Sequence, residues 1–257
     1  GVSEYDYAGA LRGAPLEVIR TPFTGLPVPA TSEIVIEGEM PSPDEESHME
    51  GPFGEWPGYY THSGKESVVR IKRILHRNDP ILLGNPPLLP ITERYGIPLF
   101  AARIWEHLEE SGFTNIRGVW CHCHTLMVVI SVAQRCANDA MQALKSVAEL
   151  RTGASMYRYY IAVDDDIDPV DLKQVILAMC TRVDPAESIQ ILKSWTSDLD
   201  PRLPPERRER GDFTMSRMLI DACKPFPWRD RFALANKFSA AKRDEIWEKW
   251  APKLQLK

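Results

Sequence analysis

The chain has 257 residues, 44% of them hydrophobic and 26% charged, which is enough for one large globular unit or two smaller ones with an ordinary core. Its formal net charge of -5, with basic residues interspersed among acids, leaves no broad positive field and argues against a nucleic-acid partner. The longest apolar run, residues 126–133, is interrupted by Ser131 and falls far short of the roughly 20 residues a membrane-crossing helix needs, and five cysteines at irregular spacing fit reduced thiols in a cytoplasmic setting better than a disulfide framework.

Residues 16–84 read as short β-like runs broken by Pro and Gly. Ile34 and Ile36 alternate with Glu33, Val35, Glu37 and Glu39, which predicts a strand with buried isoleucines and a largely wet opposite face. Residues 41–49 read as a polar, acidic loop and residues 69–75 as another strand. Between them, Glu50-Gly51-Pro52-Phe53-Gly54-Glu55 sets two carboxylates five residues apart, joined by residues that forbid a helix and favour a tight, exposed turn. Two acids sharing a poorly hydrated pocket cannot both ionise cheaply, so one would keep its proton near neutral pH and serve as a general acid. The plainer alternative is a surface turn with two solvated glutamates.

After Gly84-Asn85-Pro86-Pro87 the period changes. Pro98 begins a predicted helix with Ala101, Ile104, Trp105 and Leu108 on one face and Gly112 as its stop. Residues 119–132 read as a strand bent near His124-Thr125. Within it, Cys121-His122-Cys123-His124 tempts a metal assignment, but alternation along a strand separates the cysteines from the histidines, and no second pair follows at zinc-like spacing, so burial is the expectation. Residues 138–150 read as helix closed by Gly153, and residues 157–163 as strand. Asp164, Asp166 and Asp168 are spaced like the first ligands of a calcium loop. Its sixth and twelfth positions, however, are Pro169 and Val175, so these acids are expected to cap the next helix instead, with Asp168 as N-cap and the helix running to about Thr181. Residues 201–211 form a charged, exposed connector. Ser239 caps a last helix whose Ile246, Trp247 and Trp250 share an apolar side that either a second subunit or its own domain must cover. The predicted fold class is α+β to α/β: a β-rich part followed by strands alternating with helices, with a boundary near residues 85–95.

Taken in order, Val28-Pro29-Ala30-Thr31-Ser32-Glu33-Ile34-Val35-Ile36-Glu37-Gly38, Glu55-Trp56-Pro57-Gly58-Tyr59-Tyr60, Leu75-His76-Arg77-Asn78-Asp79-Pro80-Ile81, Val163-Asp164-Asp165-Asp166-Ile167-Asp168 and Thr181-Arg182 resemble the UbiD family of decarboxylases, over nearly the whole chain. The resemblance implies that residues 1–90 are the later part of a split β-barrel that binds prenylated FMN. Residues 91–257 would be an α/β oligomerisation domain ending in an amphipathic helix. It further implies that Glu4 bridges Mn2+ (or Mg2+) and K+ beside the flavin phosphate, that Glu50 supports the flavin and an arginine from elsewhere, and that Glu55 delivers a proton. Pro86 and Pro87 would lie near the flavin, and Trp56, Asn85 and Leu199 would line the substrate pocket. A lysine that reaches the cofactor in some relatives is matched by Thr152 or a neighbour, with Arg151 as a substitute. Because the match begins in the middle of such a protein, the chain is expected to be a C-terminal portion, lacking that arginine and further ligands and inactive alone.

The implied reaction is the reversible, non-oxidative decarboxylation of an aromatic, heteroaromatic or α,β-unsaturated carboxylic acid. The Cys-His-rich strand and Asn85-Pro86-Pro87 point towards hydroxybenzoate-type substrates. The resemblance also implies a homo-oligomer, dimer or hexamer, and a flavin prenyltransferase that supplies the cofactor. Two readings compete with it: a non-catalytic dimerisation module whose interface is the tryptophan helix, and a flavin reductase-like protein, against which the lack of a G-x-G-x-x-G turn counts.

Overall fold

The computed structural model describes residues 3–84, 88–89, 97–124, 126–150, 156–236 and 238–255. The chain divides into two compact units, the first made of residues 1–92 and 198–211, the second of residues 93–197 and 212–257.

The first unit contains α1 (Glu4–Arg12), β1 (Val18–Arg20), β2 (Pro27–Pro29), β3 (Ile34–Glu39), β4 (Ser47–Glu50), β5 (Gly64–Ser67) and β6 (Arg70–His76). Helix α1 starts at Ser3, whose Oγ accepts the Tyr5 N–H at 3.2 Å, and stops at Gly13 in the left-handed conformation. The strands pair as three antiparallel ribbons, β1–β2, β3–β6 and β4–β5. The burial expected for β3 is reversed. Ile34 and Ile36 are 38% and 55% exposed, whereas Glu37 is 4% exposed. Among the described residues β6 is the one partner of β3 and none covers its apolar face, and the facing Ile74 is also exposed. Glu37 is drawn inward because its Oε1 accepts the N–H groups of Phe23 and Thr24, at 3.2 and 2.8 Å, and the Thr24 hydroxyl at 3.0 Å. Burial by itself pushes this carboxyl up, but the hydrogen bonds from Thr21, Thr24 and Phe23 outweigh it and hold the group below its usual range.

The second unit opens with α2 (Ile97–Glu110), β7 (Ile116–His122), β8 (Met127–Val132), α3 (Asp139–Glu149), β9 (Tyr159–Asp164), α4 (Leu172–Arg182) and β10 (Ile189–Trp195). The chain then passes through α5 (Pro205–Glu209), which lies in the segment belonging to the first unit, and returns as β11 (Thr214–Ala222), a short 3-10 helix (Phe226–Arg231) and α6 (Ala240–Trp250). The five strands form one sheet in the order β10-β11-β9-β8-β7, parallel at β8–β9 and β9–β11 and antiparallel at both edges. Alternation along the strands feeds two cores. Val128, Ile130, Val132, Tyr160 and Leu219 pack with Ile104 and Leu108 of α2 and with Leu144 and Val147 of α3, while Val129, Ile161, Val163 and Ile220 pack with Val175 and Ala178 of α4.

Two sequence expectations are corrected in this unit. Residues 119–132 are a hairpin rather than one bent strand, because Cys123 and His124, at φ 51 and 63, reverse the chain within four residues. Helix α4 is capped by Asp171, whose Oδ1 accepts the N–H groups of Lys173 and Gln174, while Asp168 closes the preceding turn through Val170. Strands β10 and β11 have no counterpart in the sequence reading. Gly153, expected to close α3, lies outside the described residues; the helix ends at Leu150.

The parallel strands converge on Asp164, the last residue of β9. Its Oδ2 accepts Arg182 Nη1 and the Lys224 N–H, both at 2.6 Å, and its Oδ1 accepts Gln134 Nε2 at 2.8 Å. Asp166 takes the rest of the Arg182 fork at 3.0 and 3.2 Å and the Lys224 ammonium at 2.7 Å. Burial disfavours the Arg182 charge, but the two carboxylates more than compensate and raise its pKa.

Replacing Arg182 by Met leaves Asp164 buried without its counter-charge, so unfolding in urea is expected to show a loss of about 3–5 kcal/mol. Glu37→Gln tests the first unit. Because the folded carboxyl lies below its ordinary pKa of 4.5, its contribution is present above that value and fades as pH falls through the folded pKa. Melting temperatures of wild type and variant should therefore differ at pH 7 and converge towards pH 3.

Candidate active site

Ribbon β4–β5 carries the two carboxylates. The strands pair from Ser47↔Ser67 to Glu50↔Gly64, and the same register continues beyond them. The Thr61 N–H donates to Phe53 O at 3.0 Å, Gly54 bridges Tyr60, the Glu55 N–H donates to Tyr59 O at 3.0 Å, and the Gly58 N–H closes the turn on Glu55 O at 2.8 Å. Glu50 to Glu55 is therefore one arm of a long hairpin, and the tight turn expected inside it falls after it, at residues 55–59. The local chemistry explains the shift. Gly51 at φ 81 and Pro52 bend the arm without reversing it, whereas Pro57-Gly58, with Gly58 at φ 82, supplies the reversal. That dipeptide is the sequence signal that locates the tip.

Glu50 ends β4 and is exposed; Glu55 is half-buried at the tip, where its Oε2 accepts the Trp56 N–H at 3.4 Å. Glu55 Oε1 and the Glu50 carboxylate have no hydrogen-bond partner among the described residues. The expected shared, poorly hydrated pocket is not built by the first unit alone, since Glu50 stands in solvent there. Trp56 is half-buried beside Glu55, and Pro57 is buried. Leu199 is half-buried in the 198–211 segment of the same unit.

Glu4 is the first residue of α1 and is exposed, with Asp6 in the same turn, so two carboxylates sit at the positive end of the helix. Beside them a cavity of about 530 Å³ is lined by Ser3, Tyr5, Asp6, Leu16 and Pro27. Oxygen donors of this kind suit hard cations, but no group of three metal-capable side chains occurs among the described residues, so Glu4 offers one ligand rather than a complete site. Asn85, Pro86, Pro87, Arg151 and Thr152 lie outside the described residues.

The Cys-His run belongs to the second unit. Cys121 and His122 are buried, the His122 ring meets Pro169 O at 2.8 Å, and Cys123 and His124 occupy the hairpin turn, so strict strand alternation stops at His122. The His124 ring lies 5.8 Å from that of Phe100, and burial pushes its pKa below the ordinary value.

Two sequence models of one family match the chain: the Rift-related domain of 3-octaprenyl-4-hydroxybenzoate carboxy-lyase over residues 1–89 and the C-terminal domain of the same enzyme over residues 96–222. A phenolic acid decarboxylase of Streptomyces sp. (strain D7) is 33% identical over 256 residues, which are 98% of this chain and 52% of the relative. Among solved structures, the vanillic acid decarboxylase of Sedimentibacter hydroxybenzoicus in its open form aligns with a TM-score of 0.77 at 28% identity, covering 99% of this chain and 54% of that one. The UbiD-class enzyme HmfF from Pelotomaculum thermopropionicum, in complex with FMN, aligns with a TM-score of 0.77 at 25% identity, covering 94% and 53%. The chain thus spans about half the length of the curated relatives it matches.

The arm between the carboxylates is sensitive to Gly51. A Cβ there would meet His62 O at 2.9 Å, and left-handed backbone costs a non-glycine residue about 1–2 kcal/mol. Gly51→Ala is expected to speed amide exchange at Glu55 and Thr61, read by hydrogen–deuterium exchange, while amides of β8 and β9 keep wild-type protection.

Proposed function

The chain belongs to the UbiD family of carboxy-lyases, and on that premise we propose that it serves the reversible, non-oxidative decarboxylation of an aromatic, heteroaromatic or α,β-unsaturated carboxylic acid, as the C-terminal portion of such an enzyme. The observation that carries the proposal is the unbroken hairpin register that holds Glu50 and Glu55 on one arm, with Glu55 Oε1 uncommitted. Loss of carbon dioxide leaves a carbon that needs a proton. A half-buried carboxyl whose other oxygen is already tied to the Trp56 N–H can hold that proton on Oε1 and release it in one direction. Glu50, exposed at the end of β4, is free to accept hydrogen bonds from the arginine and cofactor that the family resemblance assigns to the rest of the enzyme.

Prenylated FMN is the proposed cofactor, which Glu4, Glu50, Pro86 and Pro87 would help to hold; when bound, it would supply the electron sink for the electron pair that carbon dioxide leaves on the substrate carbon. An exposed glutamate at a helix start fits the all-oxygen preference of Mn2+ or Mg2+ and K+, as one ligand among others. A flavin prenyltransferase would supply the cofactor. Trp56, Asn85 and Leu199 are the proposed substrate walls, with Trp56 offering a flat face to an aromatic ring. A hydroxybenzoate-type acid is the preferred substrate, a choice supported by relatives named for phenolic and vanillic acids. In this reading residues 1–90 are the later part of a split β-barrel and residues 91–257 the oligomerisation domain. The setting is cytoplasmic, in keeping with five cysteines that remain thiols. No helix among the described residues is long and apolar enough to cross a membrane.

One observation favours a second reading, a dimerisation module without catalysis of its own. Trp247 and Trp250 of α6 are 55% and 45% exposed and line an apolar groove of about 280 Å³ with Ile246 and Leu254. Sedimentation of the chain without flavin tests self-association through this groove, and because both readings allow a dimer, turnover of the complete enzyme separates them. The catalytic reading is tested in the complete, flavin-loaded enzyme. Glu55→Gln removes the transferable proton and keeps the shape, so turnover should fall on the order of 100- to 10,000-fold while the flavin absorption spectrum is retained. Undiminished turnover rejects Glu55 as the donor.

A further inference from the structure

Arg217 of β11 is 3% exposed, yet only one arm of its guanidinium is used. Nη1 donates to the Ala148 carbonyl in the last turn of α3, while Nε and Nη2 are buried and have no acceptor among the described residues. Beside it lies Tyr160 of β9, fully buried, with its ring centroid 5.8 Å from the guanidinium carbon and its hydroxyl likewise without a partner. Burial pushes the Tyr160 pKa up to about 12, so the phenol keeps its proton and remains a donor. No carboxylate pairs with Arg217 among the described residues. Arginine cannot shed its charge in a protein, so burial does not relieve the mismatch by neutralising the side chain. A helix-end carbonyl and an aromatic face offset part of the cost of removing the cation from water. They leave unused N–H donors and a full positive charge in an apolar surrounding that includes Leu219 and the partly buried Leu192.

Donors without acceptors beside an unpaired cation describe a receptor for a negative group. The apolar neighbours restrict which one, because a multivalent anion loses far more hydration on burial than a monovalent one. We propose that Arg217 and Tyr160 form a buried site for a small monovalent anion such as chloride, which the Nε–H and Nη2–H of Arg217 and the Tyr160 hydroxyl would bind. The ion would fix the end of α3 against the β9–β11 pair.

Sodium bromide is the probe. Crystals of the protein grown with it should show an anomalous-difference peak within hydrogen-bond reach of both side chains. In solution, the melting temperature should rise with bromide and level off, relative to sodium gluconate at equal ionic strength, because a ligand that binds only the folded state stabilises it in proportion to its saturation. Arg217→Met should abolish that difference and Tyr160→Phe should weaken it. If Arg217→Met fails to fold, the wild-type peak and the Tyr160→Phe titration decide. Equal melting temperatures of the wild type in bromide and gluconate, no peak at Arg217, or a bromide response that survives in Arg217→Met would each overturn the proposal.

Discussion

A carboxylate taken out of water must be met by donors, and the second unit is organised around one such demand. Asp164 sits where β9 leaves the sheet, and its partners come from the chain beyond β8, from the end of α4 and from the chain beyond β11. These donors can reach it together only if the parallel strands end in register and α4 returns its C-terminus to the same edge. The polar requirement of one side chain thereby limits how strands and helix are assembled, and the two hydrophobic cores fill the space that this leaves. It also accounts for the run of aspartates. Asp164 and Asp166 are spent on Arg182 and Lys224, Asp168 closes a turn and Asp171 caps α4, so the acidity that suggests a cation loop is consumed inside the protein.

The first unit is held by different means. Its ribbons are short, and backbone register does the positioning that packing does in the second unit. Glu50 and Glu55 keep a defined relation because ladder contacts flank them on both sides, from Glu50↔Gly64 through Phe53–Thr61 to Glu55–Tyr59, while Gly51 takes up the bend. A hairpin of this kind holds an acid firmly and leaves it accessible, as transfer of a proton to a substrate carbon requires. Glu37 gives the neighbouring ribbon a comparable internal anchor by tying β3 to the Thr21–Leu26 turn.

The half-buried Arg182 and the buried Arg217 mark opposite solutions to one problem. Arg182 is surrounded by carboxylates and ties α4 to the end of β9, whereas Arg217 meets a carbonyl and an aromatic ring and leaves Nε and Nη2 without an acceptor among the described residues. Both cations come from strand or helix positions whose neighbours in sequence are mostly apolar, so sequence alone does not distinguish a paired arginine from an unpaired one.

Features that depend on near neighbours along the chain were legible from the residues. The apolar face of α2, the Ser239 cap of α6, the β3 and β6 strands and the acid-bearing segment at 50–55 all follow from spacing, turn chemistry and capping, which act within a few residues. Contacts at long separation were not legible. Period-two alternation marks Ile34 and Ile36 as one face but cannot say whether a second layer covers it, and among the described residues of the first unit none does. The reversal at Cys123-His124 needs two non-glycine residues at positive φ, which propensity disfavours and hairpin pairing enforces. Strands β10 and β11, joined across a segment that packs with the other unit, acquire their identity only through partners distant in sequence. The sequence by itself therefore marked helices α2, α3, α4 and α6, the stretch that bears the acids and the family motifs, while α1 and α5 went unmarked. Tertiary structure decided what is buried, where the acid arm turns and which charges are paired, because desolvation and hydrogen-bond satisfaction depend on neighbours that only folding brings together.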